Sequence, residues 1–140
     1  MNPTLIFWPA FAQVILTLAV LVMMRQARVQ SRRGRGQSLD DIALNRASDW
    51  DDQSTKVANN FKNQFELPVL FFAAIGVALP LKIADPVLVG LAWLFVLARA
   101  VHTAIHIGPN TVAPRFYAYT AGALALLAMW VLLAVRVAGV

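Results

Sequence analysis

Long uncharged apolar segments constrain the fold of this chain most. Residues 4–24 contain no charged side chain, and neither do residues 67–81 or 116–135. A further apolar segment, 86–98, continues through Arg99 to about residue 107. A membrane-spanning helix needs about 20 mainly apolar residues, a length that each segment reaches or nearly reaches with its flanks. The sequence therefore predicts an all-α integral membrane protein, a single bundle of four transmembrane helices.

The composition agrees with this class. Hydrophobic residues make up 59% of the 140 residues and charged residues 14%, against about 45–50% and about 25% in soluble domains. Because the chain has no cysteine, disulfides, thiolate metal sites and a cysteine nucleophile are excluded. The first apolar segment lacks the positive n-region of a signal peptide and is too long for one, so we expect it to remain as a membrane helix.

Local helix signals set the expected boundaries. Asp85 followed by Pro86 has the order of an N-cap and a first helical residue. The run "SDWDDQST" (48–55) offers N-caps for a second helix starting near residue 55, and "SRRGRGQS" (31–38) predicts a flexible basic linker. The predicted spans within the one domain 1–140 are about 4–24, 56–82, 86–107 and 115–137, with a basic loop over 25–55.

Arginines are concentrated between the first two predicted spans. Six lie there: Arg25, Arg28, Arg32, Arg33, Arg35 and Arg46. The other side offers only Lys82 and Arg136. The positive-inside rule therefore predicts that the loops joining spans 1–2 and 3–4 are cytoplasmic, and we expect a multi-pass protein of a bacterial inner membrane. The basic loop is expected to contact anionic membrane lipid; no nucleic-acid partner is expected.

Polar side chains form stripes on two of the predicted helices. Asn59, Asn63 and Glu66 recur at i, i+4 and i+7 on the second helix, with Asn60 and Gln64 beside them. Ionisable groups at membrane depth cost about 2.5–3.5 kcal/mol on insertion scales, so they face a bundle interior or a cavity. The stripe therefore marks an interhelical contact or a site.

The third helix carries a matching stripe. Arg99, His102 and His106 recur at i, i+3 and i+7, and Arg115 opens the fourth helix. The second helix runs out of the cytoplasm and the third runs into it, so both stripes are predicted near the cytoplasmic ends, at one depth. This coincidence favours a site.

Simpler interpretations stay open for single residues. Glu66 and Arg99 would make an interhelical ion pair that fixes register, with Asn63 adding hydrogen bonds. The Arg115 side chain would reach the lipid headgroups, and the two histidines would be packing residues. A metal site is not expected, because two histidines and a remote glutamate lack a third nearby ligand.

Two motifs resemble those of the MAPEG family, the membrane-associated proteins in eicosanoid and glutathione metabolism. "KNQFELP" (62–68) is similar to the family's N-x-x-E followed by Pro, and "RAVHTAIH" (99–106) resembles its R-x-x-H-T-x-x-Y. Arg115 after "GPNTVAP" resembles the Arg that opens the family's fourth helix. Arg25 and Arg28 match basic positions at the end of helix one. The resemblance covers nearly the whole chain and is to a bacterial-type member.

The resemblance implies a homotrimer that binds glutathione, as co-substrate, in clefts between subunits. It implies a glutathione-dependent transferase or peroxidase acting on lipophilic electrophiles, with Arg115 as the catalytic residue that stabilises the thiolate. Glu66 would bind the ammonium of the peptide. The implied glutathione-binding residues are Asn63, Glu66, Lys62, Asn59, Arg99, His102, His106 and Arg28.

The chain departs from the family pattern at several positions. Many members carry Arg where this chain has Asn59, His or Gln where it has Phe61, and Tyr where it has His106. The missing Arg removes a ligand for a glutathione carboxylate, a role for which Lys62 and Lys56 are the candidates.

Other functions therefore stay open, and whether the chain is an enzyme is left undecided. One alternative is a non-catalytic, structural or accessory membrane subunit of the same fold. Another is a small multidrug exporter, which would need a carboxylate deep in the first helix, where residues 4–24 contain none.

Overall fold

The computed structural model describes residues 3–43, 50–83 and 85–139. A 3-10 turn (Pro3–Ile6) leads into six helices: α1 (Phe7–Arg35), α2 (Leu39–Ala43), α3 (Asp52–Asn63), α4 (Leu67–Ala78), α5 (Pro86–Ile107) and α6 (Val112–Val137). The described ranges contain no strand, so the predicted all-α class is confirmed. Arg46 and the first two residues of "SDWDDQST" lie outside the described residues.

Within the described ranges, three helices are long and apolar enough to cross a membrane. They are the segment Thr4–Arg35, which includes α1, and the whole of α5 and α6. They coincide with the first, third and fourth predicted spans. The chain is therefore a multi-pass membrane protein.

The second predicted span is not one helix over 56–82 but two helices, α3 and α4. Pro68 has no N–H to donate to the carbonyl of Gln64, and its ring excludes a continuous helix at this point. The last turn of α3 tightens instead, with the Phe65 N–H donating to Lys62 O at 2.9 Å. Glu66 then takes φ −92° and ψ −98°, outside the helical region. The break presents Glu66 at a joint between helices rather than on a helix face.

The predicted basic linker over 31–38 is mostly helical. Helix α1 runs to Arg35 and ends at Gly36, whose φ of 62° is left-handed and whose N–H donates to Arg32 O. Arginine and glutamine are good helix formers, and one internal glycine costs only about 1 kcal/mol. The hydroxyl of Ser31 accepts a hydrogen bond from Asp51 N at 3.1 Å, which joins the α1 extension to the start of α3.

Two apolar clusters flank a polar layer. The larger cluster lies among α4, α5 and α6, where Phe71 and Phe95 stack with ring centroids 4.5 Å apart. The smaller one joins α1, α3 and α5 through Val20, Val57 and Ile107. Along α5 the polar side chains fall between Phe95 and Ile107, and on α3 they follow Val57. The predicted polar stripes therefore lie between two packed apolar regions.

The opposite end of α5 and α6 is joined by one ion pair. Asp85 caps α5 as predicted, accepting a hydrogen bond from Leu88 N at 2.8 Å. Its other carboxylate oxygen lies 3.2 Å from Nη2 of Arg136 in the last turn of α6. This contact sets the register of the two helices far from the polar layer.

Candidate functional site

A cleft opens between α3 and the corner where α5 passes into α6. Its larger cavity has a volume of about 390 Å³ and is lined by Asn59, Asn63, His102, His106, Val112, Arg115, Phe116 and Tyr119. A second cavity of about 350 Å³ shares Asn59, His106 and Arg115 with the first and adds Asp52, Thr55, Lys56 and Asn110. We call the two cavities together the cleft. Five predicted site residues therefore line one space: Asn59, Asn63, His102, His106 and Arg115.

Arg115 is held in the cleft by the turn between α5 and α6. Its Nη1 donates to Oδ1 of Asn110 at 2.6 Å. Asn110 has a φ of 53°, in the left-handed region that Asn tolerates better than most residues. The N–H of Asn110 donates to Ile105 O at 2.7 Å and closes the end of α5. The guanidinium is thus positioned by a side chain whose own backbone is fixed.

Gly108 makes this tight turn possible. A Cβ at this position would lie 2.9 Å from the carbonyl oxygen of Ala104, closer than real Cβ atoms approach. The Gly108 N–H also donates to that oxygen at 3.1 Å. The turn that carries Asn110 therefore needs glycine two residues before it.

Arg99 is completely buried beside the break between α3 and α4. Its Nη2 donates to Asn63 O at 2.9 Å, a carbonyl left free where α3 ends. The guanidinium carbon lies 5.7 Å from the ring centroid of Tyr119. Within the described ranges, Nε and Nη1 have no hydrogen-bond partner. Arg99 thus brings a positive charge next to the cleft without a closely paired anion.

Glu66 and Arg99 do not form the ion pair considered from the sequence. The two side chains are beyond ion-pair distance of each other. Among the described residues, the one ion pair joins Asp85 and Arg136. The helix break turns Glu66 to an exposed position, and its Oε2 accepts a hydrogen bond of 3.5 Å from Tyr119. Because Tyr119 lines the larger cavity, Glu66 lies at the rim of the cleft.

His102 and His106 pack edge to face with ring centroids 5.5 Å apart. The carbonyl oxygen of Arg115 lies 3.1 Å from Nδ1 of His102. Nδ1 of His106 faces the amide nitrogens of Asn60 and Asn63 at 3.3 and 3.4 Å. The two histidines therefore connect the cleft to α6 on one side and to α3 on the other.

A buried chain of amides extends from the cleft to α1. We call it the amide chain: Gln13, Gln64 and Asn60. Gln13 Nε2 donates to Gln64 Oε1 at 3.0 Å, and Gln64 Nε2 donates to Asn60 Oδ1 at 3.2 Å and to Thr103 Oγ1 at 3.1 Å. The helical spacing placed Asn60 and Gln64 only beside the stripe and did not indicate Gln13 or Thr103. Gln13 could have been found, because it is the one amide within residues 4–24.

Four predicted ligands line neither cavity: Glu66 and Arg99, which lie beside the cleft, and Lys62 and Arg28, which lie away from it. Lys62 is exposed and lines neither cavity, whereas Lys56, the other candidate replacement for the missing arginine, lines the smaller one. Arg28 stacks over the ring of Trp50 at 5.3 Å in a separate groove beside α2. No group of three or more potential metal ligands is found in the described ranges.

The cleft suits a small anionic ligand with an apolar part. Its lining carries a guanidinium, two imidazoles and amide groups, which bind oxyanions or a thiolate, and the smaller cavity adds the cation of Lys56 and the carboxylate of Asp52. The lining also includes the apolar side chains of Phe116 and Val112, which are 62% and 70% exposed. An amphipathic pocket of this kind binds a polar group and an apolar group side by side.

Comparison with known proteins agrees with the motifs. A model of the MAPEG family matches residues 6–135, nearly the entire chain. Comparisons with curated proteins and with solved structures give no significant match. The matched residues include the polar layer and the cleft. Because the family model matches nearly the whole chain, the chain belongs to the MAPEG family.

Proposed function

We propose that this protein is a glutathione-dependent membrane enzyme that transfers the thiol to lipophilic electrophiles or reduces lipophilic peroxides. The observation that carries the proposal is the guanidinium of Arg115, held by Asn110, in a cleft lined by both polar and apolar side chains. The polar groups suit the charged tripeptide and the apolar side chains suit the electrophile.

Arg115 supplies the electrostatic stabilisation that thiol chemistry needs. A free thiol with a pKa of about 8.5 is only about 3% ionised at pH 7. Lowering that pKa by about 2 units requires about 2.7 kcal/mol, and one cation about 4 Å away at an effective dielectric near 20 provides that order of energy. The thiolate then attacks the electrophilic carbon, forming a carbon–sulfur bond while the leaving group departs with its electron pair.

The remaining polar groups are assigned to the peptide. Lys56 and Asn59 in the smaller cavity would bind a carboxylate, and Asn63 would bind a peptide group. Glu66 at the rim would bind the ammonium. Arg99, 0% exposed, would act through the field of its charge, since only one of its nitrogens donates within the described part of the chain.

We further propose that α3 and α4 together form the second of four spans, and that the protein is a homotrimer. The exposed side chains Asn59, Lys62 and Glu66 form a polar surface at the depth of the cleft, which lipid would leave unsatisfied. A neighbouring subunit covering this surface would remove that cost. It would also give Arg28 a role, because this side chain lies away from the cleft of its own subunit and would reach the cleft of the neighbouring subunit.

Glutathione binding by detergent-purified protein, measured by isothermal titration calorimetry, tests the proposal. We expect saturable binding in the millimolar range or tighter, weakened at least about tenfold by Arg115→Ala. Arg136→Ala is the matched control, because it removes an arginine from the other end of the same helix and should bind normally. Absence of saturable binding, or equal binding by Arg115→Ala, would contradict the proposal.

A non-catalytic accessory subunit is the second candidate. Asn59 favours it, because a neutral amide lines both cavities at a position where many family members carry Arg. On this hypothesis the purified protein shows no thiol transfer to hydrophobic electrophiles and co-purifies with a larger membrane complex. Turnover by the isolated protein would exclude it.

A further inference from the structure

The hydrogen-bond partners of His102 determine where its ring carries a proton. Nδ1 lies 3.1 Å from the carbonyl oxygen of Arg115, which can only accept a hydrogen bond. Nδ1 must therefore carry the proton. In the neutral ring Nε2 is then a bare acceptor, and it is buried without a partner among the described residues.

His106 has the opposite arrangement. Its Nδ1 faces amide nitrogens of Asn60 and Asn63, which can only donate. Nδ1 of the neutral ring must therefore be the unprotonated acceptor and Nε2 must carry the proton. The ring lines both cavities of the cleft, and its Nε2 is not among the buried atoms without a partner in the described ranges, whereas Nε2 of His102 is.

The direction of the amide chain supports this assignment. Asn60 turns its nitrogen to His106 because its oxygen already accepts from Gln64, and Gln64 turns its oxygen to Gln13. In this direction the only unpartnered end is Oε1 of Gln13. Reversing every amide would instead bury an unpartnered NH2 group on Gln13, and orphaned donors are rarer in proteins than undersatisfied carbonyl oxygens.

We propose that the amide chain is a positioning device that holds His106 with its proton on Nε2, so that His106 donates a hydrogen bond to the ligand of the cleft. Gln13, Gln64 and Asn60 are 0%, 2% and 0% exposed, so no water competes for their hydrogen bonds. Three helices contribute: Gln13 from α1, Gln64 and Asn60 from α3 and its C-cap, and His106 from α5. Changing the tautomer requires several buried amides to turn together.

The two tautomers make the two histidines chemically different towards a ligand. His106 selects an acceptor, such as a carboxylate, a carbonyl oxygen or a thiolate, and His102 offers no second N–H beyond the one that α6 occupies. The positioning of His106 does not depend on which ligand binds. Its role towards glutathione rests on the proposed function.

Nitrogen NMR of the histidine side chains tests the assignment directly. The chain has two histidines, so ¹⁵N-histidine labelling in detergent micelles gives four ring nitrogens, which the variant His106→Gln assigns. We expect protonated Nδ1 and bare Nε2 for His102, and the reverse for His106, each in at least about tenfold excess over the other tautomer. Two protonated Nδ1 atoms in the wild-type spectrum would overturn the proposal without any variant having to fold. A spectrum of one ring of each kind that His106→Gln assigns the other way round would overturn it as well.

Gln64→Glu distinguishes a positioning role from simple packing. Burial raises the pKa of a carboxyl above its usual value of about 4.3, so the ring nitrogens of this variant are followed from about pH 6 to about pH 10. Once ionised, the carboxylate can only accept. Asn60 must then turn its nitrogen to residue 64 and present its oxygen to His106, which requires a proton on Nδ1. We therefore expect the His106 tautomer to invert, while His102 is unchanged. Gln26→Glu on the exposed side of α1 adds the same charge and should change neither ring.

Glutathione affinity provides the functional test. In Gln64→Glu a bare Nε2 would face the ligand acceptor, and we expect Kd to rise at least about tenfold, with no rise in Gln26→Glu. Inversion of the tautomer with unchanged affinity would overturn the ligand-donor role. If the wild type binds no glutathione, the proposed function fails, while the ring nitrogens still decide whether the amide chain positions His106.

Discussion

Asn110 has two roles: its backbone is left-handed in the turn between α5 and α6, and its side chain holds Arg115 in the cleft. Two substitutions at this position separate the backbone effect from the side-chain effect. Its φ of 53° is left-handed, and its side chain accepts the 2.6 Å hydrogen bond from Arg115. Alanine at this position loses the hydrogen bond and pays about 1 kcal/mol more for the left-handed backbone than asparagine, which tolerates that region better. Glycine also loses the hydrogen bond but removes the backbone cost.

The magnitudes follow from these two contributions. A hydrogen bond to a charged donor is worth about 1.5–3 kcal/mol, and the lower value applies because Arg115 is only half-buried. The left-handed backbone costs an L-residue about 1–2 kcal/mol. We therefore expect Asn110→Ala to lower the free energy of unfolding by about 2–3 kcal/mol, and Asn110→Gly by about 1 kcal/mol less than that.

Activity should follow a different pattern from stability. Both variants leave Arg115 without its anchor, so kcat/KM for glutathione transfer should fall about tenfold in each, which corresponds to about 1.4 kcal/mol. Unfolding titrated with denaturing detergent measures stability, and initial rates with a lipophilic electrophile measure kcat/KM. Lys82→Gly is the control, because Lys82 has a φ of 55° outside the cleft and its replacement should leave kcat/KM unchanged.

One result would refute this reasoning. If Asn110→Gly restores both stability and kcat/KM to wild-type values, the hydrogen bond to Arg115 contributes nothing. The guanidinium would then be positioned by the helix alone.

Substitutions at three further positions test the fold. Gly122→Ala should leave the free energy of unfolding unchanged or raise it by up to about 1 kcal/mol, because an added Cβ meets Ala98 at an ordinary 3.6 Å. Gly122→Leu should lower that free energy by about 1–3 kcal/mol. Unfolding titrated with denaturing detergent measures both. Pro68→Ala should restore helical hydrogen bonds across the break and slow amide exchange there, and unchanged exchange would show that other contacts hold the break. Arg136→Ala should cost less than about 1 kcal/mol, because the Arg136 and Asp85 side chains are 51% and 23% exposed; a larger loss would mean a less solvated pair.

Hydropathy and capping predicted the parts of this fold that local physics controls. The first and fourth spans follow from the absence of charge over a membrane-spanning length, and the third follows from an apolar segment that contains one arginine, Arg99. Asp85 was recognisable as a cap because its side chain needs only the next turn of its own helix. The depth shared by Asn63, His102 and Arg115 followed from helix direction and spacing. The spans, the cap and the shared depth each depend on residues that are close together in the sequence.

The parts that the sequence did not predict depend on contacts between helices. Pro68 lies near the start of the apolar segment 67–81, but its position in the sequence does not show whether the helix bends or breaks there. The end of α3 became clear only where Arg99 binds the freed carbonyl of Asn63. Gln13 is a single amide in an apolar span. Its partner, Gln64, is shown only by the packing of α1 against α3.

The break and the amide chain have a common physical origin. A continuous helix would place Glu66 on the same face as Asn59 and Asn63, and it would leave no free carbonyl for Arg99. Pro68 prevents this, so Asn63 O is released to a buried cation and Gln64, at the end of α3, is free to join α1 to α5. The polar residues at the break therefore satisfy one another in part, which lowers the cost of placing them at membrane depth. Within the described ranges, Nε and Nη1 of Arg99 and Nε2 of His102 stay buried without a partner, next to the cleft that Arg115 and His106 line. A ligand in the cleft would lie beside this uncompensated polar surface.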